Sequence, residues 1–227
     1  MIDKIVASPE AALADVPDGA TIMIHGFGNA GMPAALIDAL IGQGARDLTI
    51  VNNNAGNGDT GLAALIKAKR VRKILCSFPR QADSWHFDAQ YRSGELELEL
   101  VPQGTLAERI RAAGAGIGAF YTPTAYGTRL AEGKETRRIG SRDYVLEYPI
   151  HADYALVKAD RADRWGNLAY RKSARNFGPI MAAAAKTTVV QVREIVELGG
   201  LDPETIATPS IFVQRVVRVA ASIMKAA

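Results

Sequence analysis

Short apolar runs alternate with segments of helical periodicity along this chain, and that alternation limits the fold more than any other feature. Thr21-Ile22-Met23-Ile24 and Leu48-Thr49-Ile50-Val51 are each just long enough for one buried strand. Between them Pro33 opens a helix running to residue 41, and Gly42-Gln43-Gly44 closes it. The order then repeats: helix over 61–68, with Leu62, Leu65 and Ile66 on one face, and strand over 71–77. Ser8 and Pro9 predict a short helix to residue 13, as N-cap and first helical residue. Residues 95–100, Glu-Leu-Glu-Leu-Glu-Leu, alternate strictly and predict a half-exposed strand. A helix over 106–113, a strand over 154–157, a helix over 180–185 and a strand over 187–192 complete the pattern. Alternating β and α elements imply an α/β fold with a mostly parallel, right-handed wound sheet and flanking helices.

Residues 114–140 are rich in Gly, Thr and Pro, with Phe120, Tyr121 and Tyr126 interleaved, and predict long ordered loops rather than a linker. With no internal repeat, 227 residues suit one domain over 1–227 with a sizeable core of its own. The apolar strings Ile211-Phe212-Val213 and Val216-Val217-Arg218-Val219 are expected in the core or against a partner.

Charge and special residues exclude several function classes. Net charge is only +3, and the run Lys67, Lys69, Arg70, Arg72, Lys73 reads as a solvated helix end, so no nucleic-acid partner is expected. No stretch approaches the about 18 apolar residues of a membrane span, and no signal peptide is indicated. The lone Cys76 cannot form an internal disulfide, which fits a reducing cytoplasm, and its place in an apolar run favours burial over nucleophilic chemistry. Three scattered histidines and one cysteine offer no metal-ligand spacing, and His86 and His151 read as structural or surface residues. Trp85 and Trp165 read as core or interface.

Gly26-Phe27-Gly28-Asn29-Ala30-Gly31 matches G-x-G-x-x-G between a predicted strand and a predicted helix, the context in which backbone N–H groups meet an anion. A dinucleotide site also needs an acidic residue about 20 residues further on. Val51-Asn52-Asn53-Asn54 stands there instead, so the nicotinamide reading fails. Tight strand–turn–helix packing is the plainer use of these glycines.

Read together, these and further motifs go beyond a generic glycine turn. The stretch from Asp18 through His25-Gly26-Phe27-Gly28-Asn29-Ala30-Gly31-Met32-Pro33 resembles the first signature of the 3-oxoacid CoA-transferase family. Asn53-Asn54-Ala55-Gly56 and Pro102-Gln103-Gly104-Thr105-Leu106 agree with it, as do Phe120-Tyr121-Thr122-Pro123-Thr124, Glu132-Gly133-Lys134 and Ala174-Arg175-Asn176-Phe177. The likeness runs in order along nearly the whole chain. One departure is His25, where the family usually has glycine; it either reaches the ligand or packs at the loop entrance. Ser77-Phe78-Pro79-Arg80-Gln81 and Asp163-Arg164-Trp165-Gly166-Asn167-Leu168 look most like the branch acting on 3-oxoadipate.

The resemblance implies a CoA-transferase fold and the A (α) half of a two-subunit enzyme, assembling as two A and two B chains. It implies coenzyme A and succinyl-CoA as substrates, with no permanently bound cofactor. In such enzymes the B subunit carries a Ser-Glu-Asn-Gly motif whose glutamate attacks the thioester; this chain has no Glu-Asn-Gly. Residues 25–31, namely His25, Gly26, Phe27, Gly28, Asn29, Ala30 and Gly31, are the expected coenzyme-binding segment. Asn53 and Asn54 would donate to the oxyanion, and Gln103 would orient the glutamate or substrate. Arg80, after a strand end, is the candidate grip for the second carboxylate of 3-oxoadipate. Competing readings are the corresponding half of an acetoacetate-using enzyme, a sugar-phosphate isomerase-like enzyme, and a non-catalytic α/β binding module.

Overall fold

The computed structural model describes residues 2–220. Ser8 caps α1 (Pro9–Leu13) through its side chain, which accepts from Ala11 N. The chain then alternates: β1 (Thr21–Ile24), α2 (Ala34–Gln43), β2 (Leu48–Val51), α3 (Leu62–Lys67), β3 (Val71–Cys76), α4 (Trp85–Ser93), β4 (Glu97–Leu100) and α5 (Gln103–Gly114). Next come β5 (Phe120–Thr122), β6 (Thr136–Ile139), β7 (Arg142–Glu147), β8 (Ala152–Asp163) and β9 (Leu168–Ala169), then α6 (Gly178–Ala184), β10 (Ala185–Val196) and β11 (Arg215–Arg218).

The main sheet has the order β11-β10-β8-β1-β2-β3-β4, with every neighbour parallel along that path and β9 antiparallel on β8. From β1 the chain winds outward to β4, then returns to the other side of β1 as β8. The order therefore reverses at β1, and in open α/β sheets ligands bind beyond the carboxyl ends of strands at such a point. Strand alternation splits the core into two layers. Ile22 and Ile24 of β1 face Leu36, Leu40, Leu65 and Phe87, while Met23 faces Leu106, Ile110 and Met181.

Several stretches depart from the sequence expectation; β8 and β10, at 12 residues each, run well past the expected 154–157 and 187–192. Residues 114–140, expected as loops, contribute β5 and β6 to a separate three-stranded antiparallel sheet in the order β5-β7-β6. All four residues of β6 are exposed, so no apolar alternation marks it. That sheet is tied to the main one through Arg109 of α5, which donates to Tyr148 O at 2.7 Å, lies 3.7 Å from the buried Glu147 of β7 and pairs with Glu99 of β4 at 3.0 Å, while Lys134 Nζ lies 2.6 Å from the same Glu147. Helix α4 has no counterpart in the sequence expectation; its mean hydropathy is low and only Phe87 and Gln90 are buried. Helix α5 starts three residues before the expected 106, because Pro102, with φ −53°, sets its entry and brings Gln103 onto the first turn.

At the sheet edge Glu95, with Glu97 and Glu99 of β4, stands against the basic run: Lys69–Glu95 at 2.9 Å, Arg72–Glu97 at 3.6 Å and Lys73–Glu99 at 2.8 Å. In the C-terminal strings Val213, Val216, Val217 and Val219 are buried, as the main sheet extends to β11, whereas Ile211 stands 74% exposed. Among the described residues no helix is long and apolar enough to cross a membrane.

Candidate functional site

The carboxyl ends of β1, β2 and β3 lie side by side, and three consecutive asparagines after β2 stitch them together. Asn52, fully buried, donates from Nδ2 to Ile24 O at 2.6 Å and accepts Asn54 N on Oδ1 at 2.8 Å. Asn53 O receives Ser77 N at 3.2 Å and Phe78 N at 3.0 Å, extending the β2–β3 pairing past the strands. Asn54 Oδ1 accepts Gly56 N at 2.8 Å. A backbone N–H can only donate, so this bond fixes which amide atom of Asn54 is oxygen. Its Nδ2 is left with no partner among the described residues. At Asn53 the Ser77 hydroxyl lies 2.7 Å from Oδ1 and 3.1 Å from the main-chain oxygen; it carries one proton and the shorter contact takes it. Asn53 Nδ2 is thereby left over as well. Two buried amides thus have their acceptors committed to the scaffold and their donors unspent. Gly56 is obligatory here: it has φ +82°, and a Cβ would come within 2.4 Å of Ala63 N.

The glycine motif closes on itself as a hairpin. Phe27 and Ala30 exchange both backbone hydrogen bonds, Phe27 N to Ala30 O at 3.0 Å and Ala30 N to Phe27 O at 3.2 Å, closing a tight hairpin. Gly28 turns it with φ +58°. N–H groups that an anion would need at Phe27 and Ala30 are spent on each other. What the hairpin does instead is hold Phe27, 49% exposed, over the strand ends.

His25 lies behind the hairpin rather than in the opening. It is fully buried, its Nδ1 accepts Lys158 N at 3.3 Å, and its ring meets Tyr170 edge-on at 6.0 Å. Nδ1 as acceptor places the ring proton on Nε2, which has no hydrogen-bond partner among the described residues. A Cβ on Gly31 would approach Nε2 to 2.8 Å, so glycine is required there by the imidazole. Burial lowers the His25 pKa to about 4, keeping the ring neutral. Asn176 clamps the same hairpin, donating to Ala30 O at 2.9 Å.

A cleft of about 580 Å³ opens over these elements, lined by Phe27, Gly28, Asn53, Asn54, Ser77, Phe78, Gln81 and Gln103. It brings together five of the residues singled out from sequence motifs: Phe27, Gly28, Asn53, Asn54 and Gln103. Arg80 is not among the lining residues: its Nε is held by Asp88 of α4 at 2.5 Å on the surface. Sequence reasoning passed over Phe78, 60% exposed, and Gln81 as cleft residues, although both follow a predicted strand end, the signal that could have flagged them. The cleft walls carry no carboxylate, lysine, histidine or cysteine. The Ser77 hydroxyl is engaged by Asn53, and burial pushes the Cys76 thiol up to about 12. The arrangement offers neutral donors to a developing oxyanion and lacks an activated nucleophile.

Comparison with known proteins adds a separate line. The sequence pattern of the coenzyme A transferase family matches residues 6–219. The chain is 66% identical over 230 residues to the A subunit of 3-oxoadipate CoA-transferase from Pseudomonas putida, spanning 100% of both. It is 51% identical over 214 residues to the A subunit of a probable succinyl-CoA:3-ketoacid coenzyme A transferase from Bacillus subtilis (strain 168), covering 94% of this chain and 89% of that one. Among solved structures, glutaconate coenzyme A-transferase from Acidaminococcus fermentans shares the fold with a TM-score of 0.84 at 21% identity, over 97% of this chain and 77% of that one.

Proposed function

The chain belongs to the coenzyme A transferase family, and we propose that it is the A half of a two-chain enzyme moving CoA from succinyl-CoA to 3-oxoadipate. The observation that carries this reading is a cleft furnished with unspent amide donors and no nucleophile of its own. Full-length identity of 66% to a 3-oxoadipate enzyme, against 51% to a 3-ketoacid enzyme, supports the substrate. Two A and two B chains are the assembly that the family resemblance suggests, and coenzyme A enters as substrate rather than resident cofactor.

In this scheme the partner subunit supplies a glutamate. One carboxylate oxygen attacks the succinyl thioester carbon, and the carbonyl π electrons move onto oxygen. The CoA thiolate then leaves, and a mixed anhydride joins succinate to the glutamate. The thiolate returns to the glutamyl carbonyl, succinate departs as carboxylate, and a glutamyl-CoA thioester remains. The same steps in reverse order pass CoA to 3-oxoadipate. No net proton, oxidant or reductant is required.

Each addition creates an oxyanion, and this chain's part is to receive it. Amide donors fixed before the charge forms stabilise it without reorganising at the moment of reaction. Asn53 and Asn54 hold their Nδ2 groups in that state because Ser77 and Gly56 occupy their oxygens. Gln103, on the first turn of α5 and facing the same cleft, would orient the incoming carboxylate. The test is reconstitution. The chain mixed with a B partner containing Ser-Glu-Asn-Gly is expected to form 3-oxoadipyl-CoA from succinyl-CoA, and neither polypeptide by itself to do so. Transfer by this chain alone, or a covalent acyl adduct on one of its own side chains, would overturn the proposal.

A further inference from the structure

A second cavity, of about 180 Å³, continues from the cleft and shares Gly28, Asn54 and Gln81 with it. It runs between α2 and α3, with Met32, Ala34, Leu62 and Ala64 as apolar wall and Asn29, Asp38 and Thr60 among its polar groups. No lysine, arginine or histidine lines either cavity. Its polar inventory is instead a set of neutral groups together with two carboxyls, Asp38 and Asp59. Asn29, Thr60 and Gln81 have no side-chain hydrogen bond among the described residues, and Asn54 presents its unspent Nδ2 at the junction. Asp59 is paired with Lys67 at 2.7 Å and lies 2.9 Å from His86 Nε2. Asp38 has no ion pair among the described residues, and burial raises its carboxyl pKa, so it holds a proton more readily than usual.

We infer that this cavity is the subsite for the far end of the acyl group, taking two methylenes against Ala64 and Leu62 and the terminal carboxyl against the neutral donors Asn29 and Thr60. The inference rests on the reading of the chain as half of a CoA-transferase and names the element that would select the acid. The geometry follows from the junction. An acyl carbonyl held by Asn54 Nδ2 has its chain on one side and sulfur on the other, and the continuation behind Asn54 that these two cavities share is the α2–α3 passage. A dicarboxylic oxoacid needs that length; acetoacetate, ending in a methyl group, leaves the passage unfilled.

The experiment compares 3-oxoadipate with acetoacetate as acceptor in the reconstituted complex, using Ala64→Leu and Thr60→Val. In a two-step exchange the acceptor's kcat/KM reports only its reaction with the CoA-loaded enzyme, so damage to the succinyl half cancels in the ratio. Ala64→Leu fills the passage and keeps a good helix former. The ratio of kcat/KM for 3-oxoadipate over acetoacetate is expected to fall about tenfold or more, the scale on which added or missing methylenes are discriminated. Thr60→Val, nearly isosteric and in a loop, is expected to lower it about threefold to tenfold through one lost hydrogen bond. Unchanged ratios in both variants would overturn the inference, as would a fall confined to Arg80→Ala, which would return carboxylate recognition to Arg80. A native complex that passes CoA to neither acid would instead sink the proposed function itself.

Discussion

Replacing Asn54 by alanine separates catalysis from scaffold, because its two amide atoms do different work. Asn54 lines the cleft with Nδ2 unspent, while Oδ1 holds Gly56 N at 2.8 Å inside a loop whose Gly56 abuts Ala63. Asn54→Ala removes both. Loss of one oxyanion donor lowers kcat about 10²–10³-fold, equivalent to about 2.7–4 kcal/mol in the barrier. Leaving the buried Gly56 N–H unpaired costs about 1–3 kcal/mol of stability. In a chain of this size that corresponds to a Tm lower by about 2–12 °C. Both quantities are measured on the reconstituted complex, kcat at saturating succinyl-CoA and 3-oxoadipate and Tm by thermal unfolding, with Asn53→Ala in parallel. If Tm falls as expected but kcat stays within about twofold at both positions, the asparagines are scaffold alone and the oxyanion assignment is wrong.

Two further predictions concern groups the chemistry does not use. The folded chain holds His25 neutral down to about pH 4, whereas the unfolded chain takes up a proton near 6.5. Acid therefore favours unfolding, and stability is lost as pH falls from 6.5 toward 4. Relative to His25→Asn, urea unfolding of the full chain is expected to show about 2–3 kcal/mol less stability at pH 4.5 than at pH 7; equal pH dependence in the two proteins would refute it. Cys76 is held protonated up to about 12, against 9.0 ordinarily, so its contribution is intact below pH 9 and lost as pH rises from 9 to 12. A thiol reagent at pH 8 is expected to label Cys76 only at the rate of unfolding, and rapid labelling without denaturant would show the thiol to be accessible.

Local chemistry made much of the first half legible. Ser8 and Pro9 start α1, Gly44 ends α2 with φ +99°, and four-residue apolar runs became β1 and β2 because a strand covered on both faces needs no alternation. Family motifs, read residue by residue, pointed to Asn53, Asn54 and Gln103 without any geometry. Where the pattern was weak the reading stopped: β6 has no buried residue and α4 only two, so neither left a periodic trace. G-x-G-x-x-G specifies glycine at turning positions, and a hairpin that pairs the N–H groups of Phe27 and Ala30 needs glycines as much as a phosphate cradle does.

What remained for the tertiary structure was everything that depends on residues distant along the chain. Amino-acid order determined that strands and helices alternate, and so that loops gather at the carboxyl end of a parallel sheet. Only folding decided that His25 turns inward against Lys158 and Tyr170, 133 and more residues away, rather than toward a ligand. It likewise gave Arg80 to Asp88 and brought Gln103 to the asparagines. The reason is physical: a side chain's composition limits which bonds it can make, but whether its donors are spent or free depends on which partner the fold sets within reach.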